Sequence, residues 1–400
     1  MFMRRRYLCP FCFTEHAFDD VEFECQSRAR CRTEPDEQMA RYLGTPSATG
    51  YHHFRSTASS RFGSAMPDVA ECDLCHQMSR VRVCPACHNQ LPSDIDTAEP
   101  MIISLIGTRG VGKSTYVGVL IHEMMKRLVR PFGATFTLPT ALDQRQYRER
   151  FEEPLYNYGQ PIGQTHSYEN LTTIEEKRPI LATLTKTERF GRLRTFTLVF
   201  FDSAGEDWQN PDIIASVARY VSHSAGIIFL LDPLNNRTVL GSITNRAAIA
   251  SSVGDGYNPA ADPATVIGNV ATLIRQQQGL RNNQRIAIPV AASFSKLDVL
   301  EDMGYVRGST LSRPSPHALE GSFDENDSKL VDGEMRGLLE QWGNGDFLAF
   351  LDQNYATNRC FAFSAYGRRP DTDSQGRIPV PVPKRIEDAM FWLLHLNKVL

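Results

Sequence analysis

The run MIISLIGTRGVGKSTYVGVLIHEMMKRLV, Met101 to Val129, decides how the rest of the chain is read. It opens as a short apolar strand of the kind buried on both faces. From Ser114 it carries apolar residues at helical spacing, with basic residues in the last turn. Between the two lie Gly107, Thr108, Arg109, Gly110, Val111, Gly112, Lys113 and Ser114, which satisfy G-x-x-x-x-G-K-[ST], with Thr115 following. Glycines let backbone N–H groups curl around phosphate oxygens, Lys113 reaches the β- and γ-phosphates, and the Ser114 hydroxyl ligates Mg²⁺. The helix that follows aims its positive end at the anion. A mere glycine-rich turn would leave the preceding strand, the following helix, the lysine and the hydroxyl as four coincidences.

Further apolar strands lie downstream. RPILATLTKTERFGRLRTFTLVFFD predicts two strands joined by a turn at Gly191, and AGIIFLLDP, IAIPVAASFSK and NRCFAFSAY predict one each. Helical patterns at about 211–223, 264–278 and 329–341, and a closing amphipathic helix in RIEDAMFWLLHLNKVL, alternate with them. Strands alternating with helices predict an α/β fold, a mainly parallel sheet with helices on both faces. Each strand end carries a polar signature. LVFFDSAGED places Asp202 at a strand end with Gly205 three residues on, a D-x-x-G able to hold Mg²⁺ through Asp202 and to sense a γ-phosphate through the Gly205 N–H. SFSKLD places Ser295, Lys296 and Asp298 after another strand; a carboxylate there accepts two hydrogen bonds from guanine, and adenine offers no matching donor pair. The Lys296 stem would pack along the nucleotide. FAFSAYG places Ser364 and Ala365 where a backbone N–H meets the guanine carbonyl.

These four elements, in this order, resemble the G1, G3, G4 and G5 boxes of translation-factor-related (TRAFAC) P-loop GTPases. The resemblance covers about 101–400 and implies a P-loop NTPase, Ras-like sheet, GTP/GDP as ligand, Mg²⁺ as its metal, and Lys113 among the residues that stabilise the transferring phosphate. Ser295 stands where the family usually has Asn or Thr. Glu206 stands where small GTPases often carry the Gln that orients the attacking water, and Arg109 where they often carry Gly. A carboxylate at 206 could orient water, though beside a highly anionic phosphate. Arg109 could act as a finger in cis, could block a partner's finger, or could face solvent or pair with Glu206. The Thr that closes over Mg²⁺ is expected before the strand at 178–187; Thr173 has the best distance, with Thr172 and Thr165 as alternatives, and an inserted helix is expected at about 140–152. Zinc ribbon followed by GTPase also resembles bacterial double-GTPase proteins, which implies a protein partner, either a second GTPase or a second copy, and a defence or conflict setting.

The zinc reading comes from the N-terminal segment. Eight of the nine cysteines lie in the first 87 residues of a 400-residue chain long enough for two or three domains. No leader-like apolar stretch follows Arg4, Arg5 and Arg6, which makes a cytoplasmic chain the expectation and metal the expected use of CxxC pairs. Cys72, Cys75, Cys84 and Cys87 form two knuckles close enough to close one tetrahedral zinc site, and Cys9 and Cys12 begin a second set completed by Cys25 and Cys31. An alternative pairing crosses the sets, with Cys9 and Cys12 sharing metal with a later pair. His16, His76 and His88 are possible substitute ligands, with an exposed His the preferred reading of each. Residues 1–98 are expected as a zinc-ribbon module with a flexible polar insertion at about 44–67; 99–400 as the nucleotide domain, with surface insertions in switch I and at about 252–264 and 304–328. The module holds no lysine, eleven Arg and thirteen Asp/Glu, and the whole chain has a net charge of -3, so a surface that tracks nucleic-acid phosphates is disfavoured. No apolar run reaches membrane-spanning length. Two readings compete with a GTPase switch: an ATP-using P-loop enzyme, and a non-hydrolysing scaffold stabilised by nucleotide and zinc.

Overall fold

The N-terminal segment folds around its cysteines on strands too short to make a sheet of any size. In the computed structural model, residues 5–57, 65–108, 110–162, 178–202, 220–242 and 263–400 are described. Strands β1 (Arg6–Leu8) and β2 (Glu15–Ala17) make one hairpin; β3 (Glu22–Glu24), β6 (His53–Arg55) and β9 (Arg82–Val83) make a three-stranded sheet. Two further pairs are β4 (Glu34–Pro35) with β5 (Thr49–Gly50) and β7 (Ala70–Glu71) with β8 (Met78–Ser79). Helix α1 (Glu37–Leu43) is capped by the Asp36 carboxylate and stopped by Gly44 in the left-handed region. The polar stretch expected as a flexible insertion at 44–67 is therefore ordered over β5 and β6. Phe54 supplies the reason: it is buried against Phe23 of the neighbouring strand, an apolar anchor in a run whose composition hides it.

The chain then enters a seven-stranded sheet at β10 (Glu99–Gly107). The order across that sheet is β11 (Ala134–Thr137), β12 (Ile180–Thr187), β13 (Leu193–Asp202), β10, β14 (Gly226–Leu231), β15 (Val290–Phe294), β16 (Asn358–Ala362). Pairings from β13 through β16 are parallel and β12 alone runs against the rest. The expected mixed α/β architecture is present, and β11 is an edge strand absent from the sequence reading. Helices α2 (Lys113–Glu123), α3 (Ala141–Tyr147), α4 (Pro263–Gln278), α5 (Leu297–Asp302), α6 (Glu325–Gln341), α7 (Gly345–Asn354) and α8 (Asp388–Leu396) follow the strands. Residues 304–328, expected as a surface insertion, contain short helical turns and bury Val306, Leu311 and His317.

The inserted helix after β11 is real and longer than expected: α3 runs on as a π-helical stretch from Arg148 to Tyr158. It lies directly on α2. A Cβ placed on Gly118 would sit 2.6 Å from Phe151 Cδ1, so only glycine permits this approach. The cysteine module is fastened to the sheet domain by the Cys9–Cys12 knuckle. Phe11 lies under the Arg178 guanidinium at 4.5 Å, and the Phe13 ring packs 5.3 Å from that of Tyr220. Arg178 also pairs with the fully buried Asp143 of α3 at 3.3 Å.

Gly118→Val should lower unfolding free energy by about 1–3 kcal/mol, the usual cost of overpacking a filled contact. Urea melts of the metal-replete protein would show it.

Candidate functional site

The order of the large sheet places its chemistry. The chain leaves β10 for the β11–β12–β13 side and crosses to β14 on the other side, so the carboxyl end of β10 is a point where the chain direction across the sheet reverses. Crevices at such points hold ligands in open α/β sheets. Gly107 is register-paired with Leu230, Leu105 with Asp202, Leu231 with Phe294, and Phe294 with Ala362. The loops after β10, β14, β15 and β16 consequently open at one edge of the sheet, and β13 ends there at Asp202.

The loop after β10 has the backbone a phosphate cradle needs. Gly107 is pressed against β14, where a Cβ would come 2.6 Å from the Leu230 carbonyl. Gly110 (φ 75°) and Gly112 (φ 88°) occupy the left-handed region and are exposed. Thr108 and Val111 are buried. Lys113 begins α2 and is buried, its Nζ donating to the carbonyls of Gly107 at 2.7 Å and Thr108 at 3.0 Å. Ser114 and Thr115 are half-buried, and the Thr115 hydroxyl bonds Tyr366, which lies just past β16.

The base-binding signatures come together on the far side. Leu297 N–H donates to the Phe363 carbonyl at 3.0 Å and Phe363 N–H to the Phe294 carbonyl at 2.8 Å, which ties the loop after β15 to the loop after β16. Asp298 is buried, and burial pushes its carboxyl above the ordinary carboxylate range, opposed by a hydrogen bond from Ser364. Ser364 also accepts from Gly367 N–H at 2.8 Å and is bridged to Lys384 through both backbone groups. Ala365 is half-buried beside it. Ser295 is spent locally, its hydroxyl donating to the Leu231 carbonyl at 3.1 Å. Lys296, in the left-handed region, reaches Asp232 with 2.6 Å between Nζ and Oδ2. Asp232 was missed in the sequence; the signal for it was a carboxylate directly after the apolar run of β14. Arg109, Gly205, Glu206, Thr173 and its alternatives Thr172 and Thr165 lie outside the described residues, as do 252–262 of the expected insertion.

The cysteines form two tetrads, but not the two first expected. Cys9 and Cys12 meet Cys84 and Cys87, while Cys25 and Cys31 meet Cys72 and Cys75. This corrects the assignment of Cys72, Cys75, Cys84 and Cys87 to one site, and the crossed alternative is the one observed. Neighbouring knuckles were assigned together because they are close in sequence. The chain instead interleaves them. Sulfur separations are 3.8 Å for Cys9–Cys87, 3.7 Å for Cys12–Cys84, 3.5 Å for Cys25–Cys75 and 3.8 Å for Cys31–Cys72. A zinc tetrahedron with bonds near 2.3 Å has edges of about 3.8 Å, so the donors fit that ion. Three knuckles share one backbone: Phe13, His76 and His88 follow the second cysteine with positive φ, and each donates its N–H back to the first cysteine's carbonyl at 2.8–3.0 Å. In the first tetrad burial pushes Cys9 and Cys87 up, while bonds from Cys84, Cys87 and Cys9 pull Cys12 down. One thiolate is thus favoured and more are resisted, a balance that a divalent cation reverses. His88, read as exposed, is buried.

No family model matches the chain. It is 28% identical over 399 residues to a protein of Mycolicibacterium smegmatis (strain ATCC 700084 / mc(2)155) described as "Putative ESX-1 scaffolding and assembly protein SaeC", covering 96% of this chain and 97% of that one. Among solved structures it matches the Arl6 BBS3 small GTPase from Trypanosoma brucei with bound nucleotide analogue GppNp, at 11% identity and TM-score 0.27, covering 75% of this chain and 98% of that one. No described helix is long and apolar enough to cross a membrane.

The interleaving makes a stoichiometric prediction. Replacing Cys9 and Cys87 together by Ser should cost one bound zinc per chain, and replacing Cys9 and Cys72 together should cost two. Elemental analysis of the purified variants reads the difference directly.

Proposed function

We propose that this chain is a guanine-nucleotide-binding protein and a Mg²⁺-dependent GTP hydrolase that works as a switch on protein partners. The carrying observation is the meeting, at one edge of one sheet, of the Gly107–Ser114 loop and the buried Asp298–Ser364 pair. The loop offers exposed N–H groups and a lysine already turned onto its own carbonyls. The pair offers a carboxylate whose burial leaves it in want of donors, which the N1–H and N2–H₂ of guanine supply. Ser114, with Asp202 at the end of β13, would hold Mg²⁺. Bound there, such an ion would offset the charge of the phosphate oxygens. Glu206, Arg109 and Thr173 are proposed, from the sequence alone, for the water, the developing charge and the metal. Both cysteine tetrads are proposed as structural zinc sites, and the chain divides near residue 98 into zinc module and nucleotide domain. A cytoplasmic setting is proposed with them.

A second reading, a scaffold in which nucleotide and zinc only stabilise an interaction module, is favoured by one observation: the relative matched over nearly the whole chain is described as a scaffolding and assembly protein. Titration of the metal-replete protein with fluorescent GDP, GTP and ATP analogues in Mg²⁺, with phosphate release followed in the same samples, separates these readings. Guanine-selective binding with release supports the switch, guanine-selective binding without release the scaffold, and ATP preference defeats the reading of Asp298.

Lys113→Ala should weaken nucleotide binding by about 2–4 kcal/mol, roughly 30- to 1,000-fold in Kd, because a buried charge-assisted contact to phosphate is lost. Equal binding by the variant would sink the phosphate-loop assignment. Asp298→Asn should move base preference from guanine toward xanthine by about 2–3 kcal/mol. In the nucleotide-free protein the same change should raise Tm slightly, since the buried carboxylate is replaced by a neutral group. Competition binding and thermal melts check the two halves.

A further inference from the structure

We infer that the cysteine module carries a third metal site, made not by sulfur but by Asp36, His53 and His88, and filled by a divalent first-row transition ion such as zinc. One ligand atom from each lies within 4.8 Å of the other two. The residues come from three separate places: the cap of α1, the first residue of β6, and the left-handed position after the Cys84–Cys87 knuckle. All three side chains are at least nine-tenths buried. His53 Nε2 is buried without a hydrogen-bond partner, an orphan polar atom in a place water does not reach. The two rings lie tilted at 48° with centroids 3.9 Å apart, and the Nδ1 of each faces the Asp36 carboxylate. His88 Nδ1 is 2.8 Å from Asp36 Oδ1 and His53 Nδ1 is 3.9 Å from Asp36 Oδ2. Room for this carboxylate depends on Gly50, where a Cβ would stand 2.8 Å from Asp36 Oδ2.

The surrounding charge favours a cation. Glu22 and Glu24, two apart on β3 and so on one face of it, aim a carboxylate oxygen each at the cluster: Glu22 Oε2 is 3.4 Å from His88 Nε2 and Glu24 Oε2 is 3.9 Å from His53 Nε2. Their other oxygens are already engaged, Glu22 with Arg55 and Glu24 with Gln26 and Gln90. Three carboxylates thus face two imidazoles, with one largely exposed arginine at the margin. The contrast is with the buried set His317, Asp327 and Asp388, where the Arg385 guanidinium reaches both carboxylates and supplies the cation from within the chain. Among the described residues no Arg or Lys pairs with Asp36. Two imidazoles that meet Asp36 through Nδ1 make a nitrogen–oxygen set suited to borderline divalent ions, and Glu22 and Glu24, which face the Nε2 atoms, would orient the two rings from outside.

The test uses the full-length chain, purified in zinc and dialysed against metal-free buffer, with zinc counted by elemental analysis. The quantity read is the difference between the native chain and His53→Gln, with Asp36→Asn, which keeps the helix cap, as the second variant. Both should bind one zinc equivalent fewer per chain than the native protein. An unfilled cysteine tetrad would lower all three counts equally and leave the difference intact. Reconstitution with Co²⁺ gives an independent readout: thiolate charge-transfer absorption should be unchanged in His53→Gln while the weaker visible bands lose intensity. Equal zinc counts in native and variant proteins, or a Co²⁺ spectrum identical in both, would overturn the site and leave His88 as an imidazole hydrogen-bonded between Asp36 and Glu22.

Discussion

Two sulfurs from each end of the N-terminal segment meet in one tetrad, and the four cysteines between them meet in a second. Interleaving is the constraint on which the rest depends. Cys9 and Cys12 reach across to Cys84 and Cys87, so the chain between them closes into a large loop, and Cys25 and Cys31 close a second loop inside it with Cys72 and Cys75. Strands of two or three residues bury little by themselves, and a segment of this size is at the lower limit of self-sufficient folding. Metal binding worth roughly 10–16 kcal/mol per structural zinc is of the order needed to offset that deficit. Neither tetrad can form until both ends of its loop have arrived, so the module should assemble as one unit.

That rigidity is passed on at one place. The Cys9–Cys12 knuckle points Phe11 and Phe13 into the larger domain, against Arg178 and Tyr220. Arg178 leads into β12, and Tyr220, whose hydroxyl donates to the Ile103 carbonyl at 2.7 Å, precedes β14 and touches the backbone of β10. A buried aromatic contributes about 1.5–3 kcal/mol and a desolvated cation–π contact about 2 kcal/mol. Those energies are large beside the marginal stability of a domain. The Cys9–Cys12 knuckle is therefore part of the support of the central strand, and of the loop that springs from its end, more than an ornament on its outside.

Much of this was legible in the sequence because it rests on local rules. Met101–Gly107 could only be a buried strand, Gly107–Ser114 could only be a turn that exposes N–H groups, and the alternation of apolar runs with helical periods led to a parallel sheet. What escaped was set by distance. The pairing of Cys9 with Cys87 is fixed by how the chain returns on itself, which spacing does not record. Strand β11 is four residues long and exists because β12 offers it an edge. His88 shares its left-handed turn with the exposed His76, so its burial is set by the approach of Asp36 and Glu22 from elsewhere in the chain. Within the proposed nucleotide site, Asp298 and Ser364 follow from their strands, whereas Asp232 and Tyr366 are placed by tertiary contacts with Lys296 and Thr115.

The two halves of the proposed nucleotide site stand in different states of readiness. The lysine of the loop is satisfied without ligand, since Gly107 and Thr108 give it two carbonyl acceptors. Those are neutral acceptors, and a phosphate oxygen bonds an ammonium roughly twice as strongly as they do, so exchange toward an anion is downhill without any large movement of the chain. Asp298 is the opposite case. Its carboxyl is buried, the Ser364 hydroxyl and the residue's own backbone N–H offset only part of the cost, and the free protein bears the rest until donors arrive. A ligand that brought phosphate alone would relieve nothing at Asp298, and one that brought a base with no donor pair would leave it buried and unmatched. Selectivity in such a site arises from the penalty on the wrong base more than from the strength of the right contact, which is why a single buried carboxylate decides it.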